Sequence, residues 1–221
     1  MLKTVRVWDL PTRIFHWALV LSIAGSVTSS QIGGNAMPWH FRFGYCIASL
    51  LLFRLVWGFV GGRWSRFAAF VYSPVTVVRY LRGQAQPEHA IGHNPLGAGS
   101  VFAMLAFLLA QVGTGVFSDD EISASGPLTK FVSGATVGMA THYHKGIGKY
   151  VLLGLIVLHV ATIVFYLVRK RENLVRPMIV GDKVIDATLE SSRDDPRSRM
   201  TAAVIFALCA GLVAWTIRLA G

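Results

Sequence analysis

The sequence predicts an all-α membrane protein, and three observations lead there. Hydrophobic residues make up 53% of the chain and charged ones only 14%, where a soluble domain of this size carries charge at about a quarter of its positions. The charges are missing from long stretches and crowded into the short ones between them. Five apolar stretches, at 13–30, 40–61, 95–117, 144–168 and 201–217, approach the roughly 20 residues that cross a hydrocarbon core about 30 Å thick. Backbone groups in lipid must be satisfied within their own segment, so each stretch is expected to be a helix.

Basic residues set the expected orientation. Lys3, Arg6 and Arg13 precede the first stretch, Arg63, Arg66, Arg79 and Arg82 lie between the second and third, and Arg169, Lys170, Arg171, Arg176, Lys183, Arg193, Arg197 and Arg199 lie between the fourth and fifth. The alternate loops are nearly free of them: 29–39 has no charge, and 118–141 has Asp119, Asp120, Glu121 and one Lys130. The positive-inside rule then predicts a multi-pass protein of a bacterial inner membrane with a cytoplasmic N-terminus and, after five spans, a periplasmic C-terminus. A net charge of +10 would suit nucleic acid, but its placement argues against that and suits anionic lipid head groups. No small-residue A-x-A site follows the first apolar run, so it is expected to remain as a helix instead of being cleaved as a signal peptide. Cys46 and Cys209 sit singly within spans and read as packing residues, without a disulfide framework or C-x-x-C-H haem attachment.

Residues 1–175 are expected to form the core, 176–200 a cytoplasmic connector of mixed charge, partly disordered, and 201–221 a fifth transmembrane helix. Ser73-Pro74 reads as an N-cap with proline at the first helical position. The Val75, Val77, Val78 and Leu81 that follow predict an amphipathic helix over 74–83 on the membrane surface. The polar loop 119–139 reads as a docking surface or cover.

Ionisable residues within spans are costly and mark function, and neutral imidazole is a natural axial ligand for haem iron. His144 and His159 are fifteen residues apart on the fourth span, a rise of about 22 Å and a rotation of about 60°. Both can face one groove at two depths. His16 lies near the cytoplasmic start of span one and His40 near the periplasmic start of span two. Depth matching pairs His16 with His159 and His40 with His144, two bis-histidine sites stacked across the membrane. His142 fits the face less well and stays as an alternative to His144. Arg54, fourteen residues after His40 and about 40° off its face, would meet a haem propionate or else snorkel to the interface. Arg13 could serve a propionate similarly. His93 is expected to cap span three or to touch a propionate or quinone, and His89 to be a solvated loop residue. The fold expected is thus a single all-α bundle of transmembrane helices, with histidines placed to hold haem.

The run Val7-Trp8-Asp9-Leu10-Pro11-Thr12-Arg13-Ile14-Phe15-His16-Trp17 resembles the opening of the bacterial cytochrome b561 family, which includes the b-type cytochrome subunits of nickel-iron hydrogenases and formate dehydrogenases. Phe53-Arg54-Leu55-Val56-Trp57-Gly58-Phe59, Gly92-His93-Asn94-Pro95-Leu96-Gly97 and Leu158-His159-Val160 extend the likeness over residues 5–181. The resemblance implies a four-helix transmembrane haem-binding bundle, here with a fifth C-terminal transmembrane helix, two haems b, and electron exchange between a membrane quinone and a periplasmic partner, a c-type cytochrome or a dehydrogenase or hydrogenase subunit. It places the iron ligands at His16, His40, His144 and His159, and a bound quinone near Arg13, Arg54 and His93. The separation on span four is one residue longer than the family pattern, and the fifth span lies outside the common core. A homodimer is among the open oligomeric states. Two rivals remain: a stand-alone superoxide or quinol oxidoreductase, and a histidine-based proton or metal transporter, which would call for acidic residues inside the spans.

Overall fold

The computed structural model describes residues 3–86, 89, 91–120, 124–185 and 189–220. Glu121, counted above among the outer-loop acids, and Gly221, the last residue of the expected fifth helix over 201–221, lie outside them. The protein is predominantly helical, and among the described residues five helices are long and apolar enough to cross a membrane: Leu10–Ile32, Gly34–Val60, Pro95–Gly115, Gly134–Arg169 and Pro196–Leu219. Large apolar side chains such as Leu21, Phe59, Val157 and Leu208 lie exposed on them, where lipid is the solvent that suits them.

The elements run β1 (Lys3–Arg6), α1 (Leu10–Ile32), α2 (Met37–Val60), α3 (Pro74–Leu81), α4 (Pro95–Gly115), α5 (Gly134–His142), α6 (Lys149–Arg169), α7 (Val175–Val180), β2 (Asp182–Ile185) and α8 (Pro196–Ala220). Two features depart from the sequence expectation. The fourth span begins near residue 134, ten residues before its apolar stretch, because Ser133 accepts a hydrogen bond from Thr136 N at 3.2 Å and starts α5 within the expected loop. The connector contains β2, which pairs antiparallel with β1 in the register Lys3↔Ile185 to Arg6↔Asp182. Backbone pairing between segments so distant in sequence leaves no local signal.

The chain divides into two compact units, each drawn from three segments. The first comprises Met1–Phe15, Arg54–Ala103 and Val157–Val204; the second comprises His16–Phe53, Met104–Ile156 and Ile205–Gly221.

The first unit has an apolar cluster of Val7, Trp8, Trp64 and Ile91, with Met178 and Ile185 packed against it. Its polar centre is Asp9, fully buried. The carboxylate accepts hydrogen bonds from Thr12 N (2.8 Å), Trp57 Nε1 (3.2 Å), Gly62 N (3.0 Å) and Ser65 Oγ (2.8 Å). Gly62 is required there, since a Cβ at that position would stand 2.5 Å from Asp9 Oδ2. Asp194 ties the connector to the N-terminal segment: it meets Arg6 at 3.0 Å and Arg199 at 2.9 Å and accepts from Leu10 N at 3.2 Å. Ser73 caps α3, accepting from Thr76 N at 3.2 Å, and Pro74 occupies the first turn.

In the second unit, the segment after α4 folds back on it. Leu128 N donates to Val116 O at 2.9 Å, and Asp119 N donates to Thr141 Oγ1 at 3.0 Å. Phe53 and Phe206 pack edge to face with centroids 6.1 Å apart, seating the last helix's second half.

Candidate functional site

The second unit brings His40 and His144 together, with ring centroids 6.0 Å apart and planes inclined at 77°. His40 lies in the first turn of α2 and His144 in a π-helical turn, Tyr143–Gly148, that joins α5 to α6. Each ring is held at its inner nitrogen by a carbonyl. His40 Nδ1 faces Ser26 O at 3.0 Å, with Ser26 Oγ also at 3.0 Å, and His144 Nδ1 faces Gln111 O at 2.8 Å. A carbonyl can only accept, so Nδ1 carries the proton on both rings and each Nε2 keeps a lone pair. That is how proteins orient metal-ligating imidazoles.

The spacing suits one iron. With a metal–imidazole bond of about 2 Å, two rings on opposite sides of one metal have centroids roughly 6 Å apart. Two imidazoles fill the axial positions of a haem iron and would leave a bare metal ion under-coordinated. Among the described residues no group of three or more His, Cys, Asp or Glu side chains is placed to hold a metal.

Three residues that the sequence did not single out shape this pair. Ser26 supplies the acceptor for His40. Gln111 clamps His144 from both directions, its carbonyl accepting from the ring and its side-chain Nε2 donating to His144 O at 2.9 Å. Gly115 admits the ring: a Cβ there would lie 2.8 Å from His144 Cε1. A small residue and a lone amide on an apolar helix are the only sequence traces of these roles. His142 is exposed, whereas His144 is half-buried beside His40.

The other predicted residues fall as follows. His16 is half-buried in the second unit, edge to face with Trp17 at 5.0 Å. His159 is half-buried in the first unit. Arg54, also in the first unit, is 3% exposed, so it does not snorkel to water. Its guanidinium lies 4.7 Å over the Phe67 ring, and one terminal nitrogen, Nη1, is buried without a hydrogen-bond partner. An unsatisfied buried donor on a charged group costs on the order of 1–3 kcal/mol or more, so this nitrogen is suited to an anionic oxygen. Arg13 is already engaged, donating to Ile179 O at 2.6 Å with Asp194 at 3.8 Å, although its Nε is buried without a partner.

His93 does not cap the third span. Asn94 does, accepting from Gly97 N at 2.8 Å, because its short amide reaches the first-turn N–H groups directly. His93 instead packs between Trp8 (4.8 Å) and Phe70 (4.6 Å), its plane tilted by 54° and 53° to theirs. His89 is not solvated either: it is buried between Tyr72 and Tyr80, and its Nδ1 accepts from Gln86 N at 3.1 Å. Burial and a hydrogen bond with Tyr166 push the Tyr80 hydroxyl up to about 12, so it stays protonated at neutral pH.

Comparison with known proteins gives a consistent family. The family described as prokaryotic cytochrome b561 matches residues 7–181. A probable Ni/Fe-hydrogenase B-type cytochrome subunit of Rhodobacter capsulatus is 26% identical, covering 81% of this chain and 81% of its own. The protein of the same description from Azotobacter vinelandii is 29% identical over 80% of this chain and 87% of its own. In Escherichia coli (strain K12), a probable Ni/Fe-hydrogenase 1 B-type cytochrome subunit is 28% identical over 49% of this chain and 57% of its own. No solved structure matches the chain.

Proposed function

We propose that this chain, which belongs to the prokaryotic cytochrome b561 family, is a di-haem b-type cytochrome that carries electrons across the inner membrane between a quinone pool and a periplasmic redox partner. Membrane electron transfer with haem b follows from the family. The two-haem count, the quinone and the partner are the finer proposal. The relatives' descriptions as hydrogenase subunits favour a hydrogenase or related dehydrogenase as that partner. The asymmetry of the basic loops favours a cytoplasmic N-terminus.

The observation that carries the reading is the His40–His144 pair, two imidazoles 6.0 Å apart with both Nδ1 atoms on backbone carbonyls. These two side chains would hold one iron, and His16 and His159 a second. Haem b supplies a one-electron iron couple when bound. The protein residues do the rest. Ser26 O and Gln111 O fix the tautomer and raise the basicity of the coordinating nitrogens. Two imidazoles on one iron leave no open position for an added ligand, which favours electron transfer over dioxygen binding. Arg54 offers a buried positive charge to a carboxylate such as a propionate, and the apolar helix faces keep water and its screening away.

A pyridine haemochrome assay on the purified protein should give close to two haems b per chain. His40→Ala and His144→Ala should each remove about one of them, and His142→Ala should remove none. A His144→Ala protein that keeps its full haem complement would overturn the pairing.

A further inference from the structure

We propose that a basic cleft beside the end of α2, within the first unit, binds the phosphodiester head group of an anionic phospholipid. The cleft has a volume of about 270 Å³ and is walled by Val60, Arg63, Arg66, Glu190 and Arg193. Its position is the first argument. Val56, Phe59 and Val60 are exposed on the last turns of α2, and the helix ends at Val60. Acyl chains would lie along those side chains, and the lipid phosphate belongs where the apolar surface stops, which is where Arg63 and Arg66 begin.

Charge is the second argument. Three arginines and one glutamate line the cleft, and the Glu190 carboxylate pairs with Arg63. Arg193 has only a long contact to Asp195 at 3.9 Å. The balance is positive, and guanidinium groups match phosphate oxygens with paired hydrogen bonds. The backbone that carries these side chains is tied together. Arg63 lies over the Trp64 ring at 5.5 Å. Trp64 is itself buried and donates from Nε1 to Glu190 O at 3.0 Å and from its backbone to Ser192 Oγ at 3.2 Å. The connector is thereby stitched to the turn after α2, so the basic groups of both segments share one site. The inference rests on the membrane reading of α2 and not on the haem assignment.

The test uses the full-length protein in detergent, with native mass spectrometry counting bound lipid after addition of phosphatidylglycerol or phosphatidylcholine. A basic residue near a membrane surface contributes roughly fivefold to anionic-lipid affinity, and three contribute on the order of a hundredfold. The Arg63→Gln, Arg66→Gln, Arg193→Gln triple variant should lose most of the preference for phosphatidylglycerol. Arg79→Gln, Arg82→Gln, which removes two charges of the same type at the end of α3 in the same connection, should keep it. Arg66→Gln alone serves if the triple variant does not fold, with a loss of roughly fivefold expected. Equal loss in the control pair would mean diffuse attraction and would overturn the site. So would displacement of the lipid by inorganic phosphate at equal concentration, which would mean a phosphate site that ignores the lipid. Haem content should be unchanged throughout, so that failure here and failure of the haem assignment remain separate results.

Discussion

Around His40 and His144 in the second unit, the backbone supplies acceptors: Ser26 O and Gln111 O each take a ring proton. Around Asp9 in the first unit it supplies donors, with Thr12 N and Gly62 N joined by the Trp57 indole and the Ser65 hydroxyl. The Asp9 centre is closed, since one carboxylate is satisfied by four donors and the residue is fully buried. The histidine centre is deliberately half-satisfied, since each imidazole is anchored at one nitrogen while the other keeps its lone pair. A buried group with every bond made holds structure together. A buried group with one bonding position kept open is suited to a ligand.

The difference can be attacked directly. Asp9→Ala would leave four donors without their acceptor, and we expect it to lower stability by about 3–5 kcal/mol, read as a large drop in the thermal unfolding temperature. An Asp9→Ala protein unfolding at the wild-type temperature would show that this centre is not structural. Gly115→Ala inserts a methyl group 2.8 Å from the His144 ring, an overpacking that costs roughly 1–3 kcal/mol. Its readout is the low-temperature absorbance and electron paramagnetic resonance spectrum of one haem. An unshifted spectrum would separate His144 from the iron.

Gln111→Leu removes only the side-chain half of the clamp, a loss of about 1 kcal/mol, because the backbone carbonyl still holds Nδ1. Haem should be retained with a displaced midpoint potential, and Gln111→Glu, which cannot donate when ionised, should not restore it. The effect expected of Asp194 is one of pH dependence. Burial pushes its carboxyl up, but the Arg199 hydrogen bond and Leu10 N outweigh that and hold it below the usual carboxylate range. Its stabilising contribution is therefore present above the ordinary carboxylate pKa of about 4 and is lost as pH falls through the folded value. In thermal unfolding followed across pH, Asp194→Asn should lower stability by a constant amount at neutral and alkaline pH and flatten the acid side, where the wild type loses the same contribution.

Much of the fold is written locally. Runs of apolar residues specify helices because lipid offers the backbone no other partner, and Ser73-Pro74 marks the start of α3 because a hydroxyl and a ring-fixed φ act within one turn. The adjacency of His40 and His144 is also one that helical rise and rotation suggest from residue numbers. Other features were not legible in the sequence. Ser133 begins a helix inside a stretch that composition reads as loop, because one cap outweighs five polar and glycine neighbours. Asn94, not His93, closes the start of α4, a choice between adjacent polar residues that only side-chain reach decides.

By itself the amino-acid sequence determined that this is a helical membrane protein with basic loops on alternate connections. Only the tertiary structure decided that His144 and not His142 meets His40, that Gln111, Ser26 and Gly115 shape that meeting, and that β1 pairs with β2. The reason is physical. Helix formation and burial in lipid depend on neighbours a few residues away. A ring seated against another helix's carbonyl, or a strand paired across nearly the whole chain, depends on where distant backbone comes to rest.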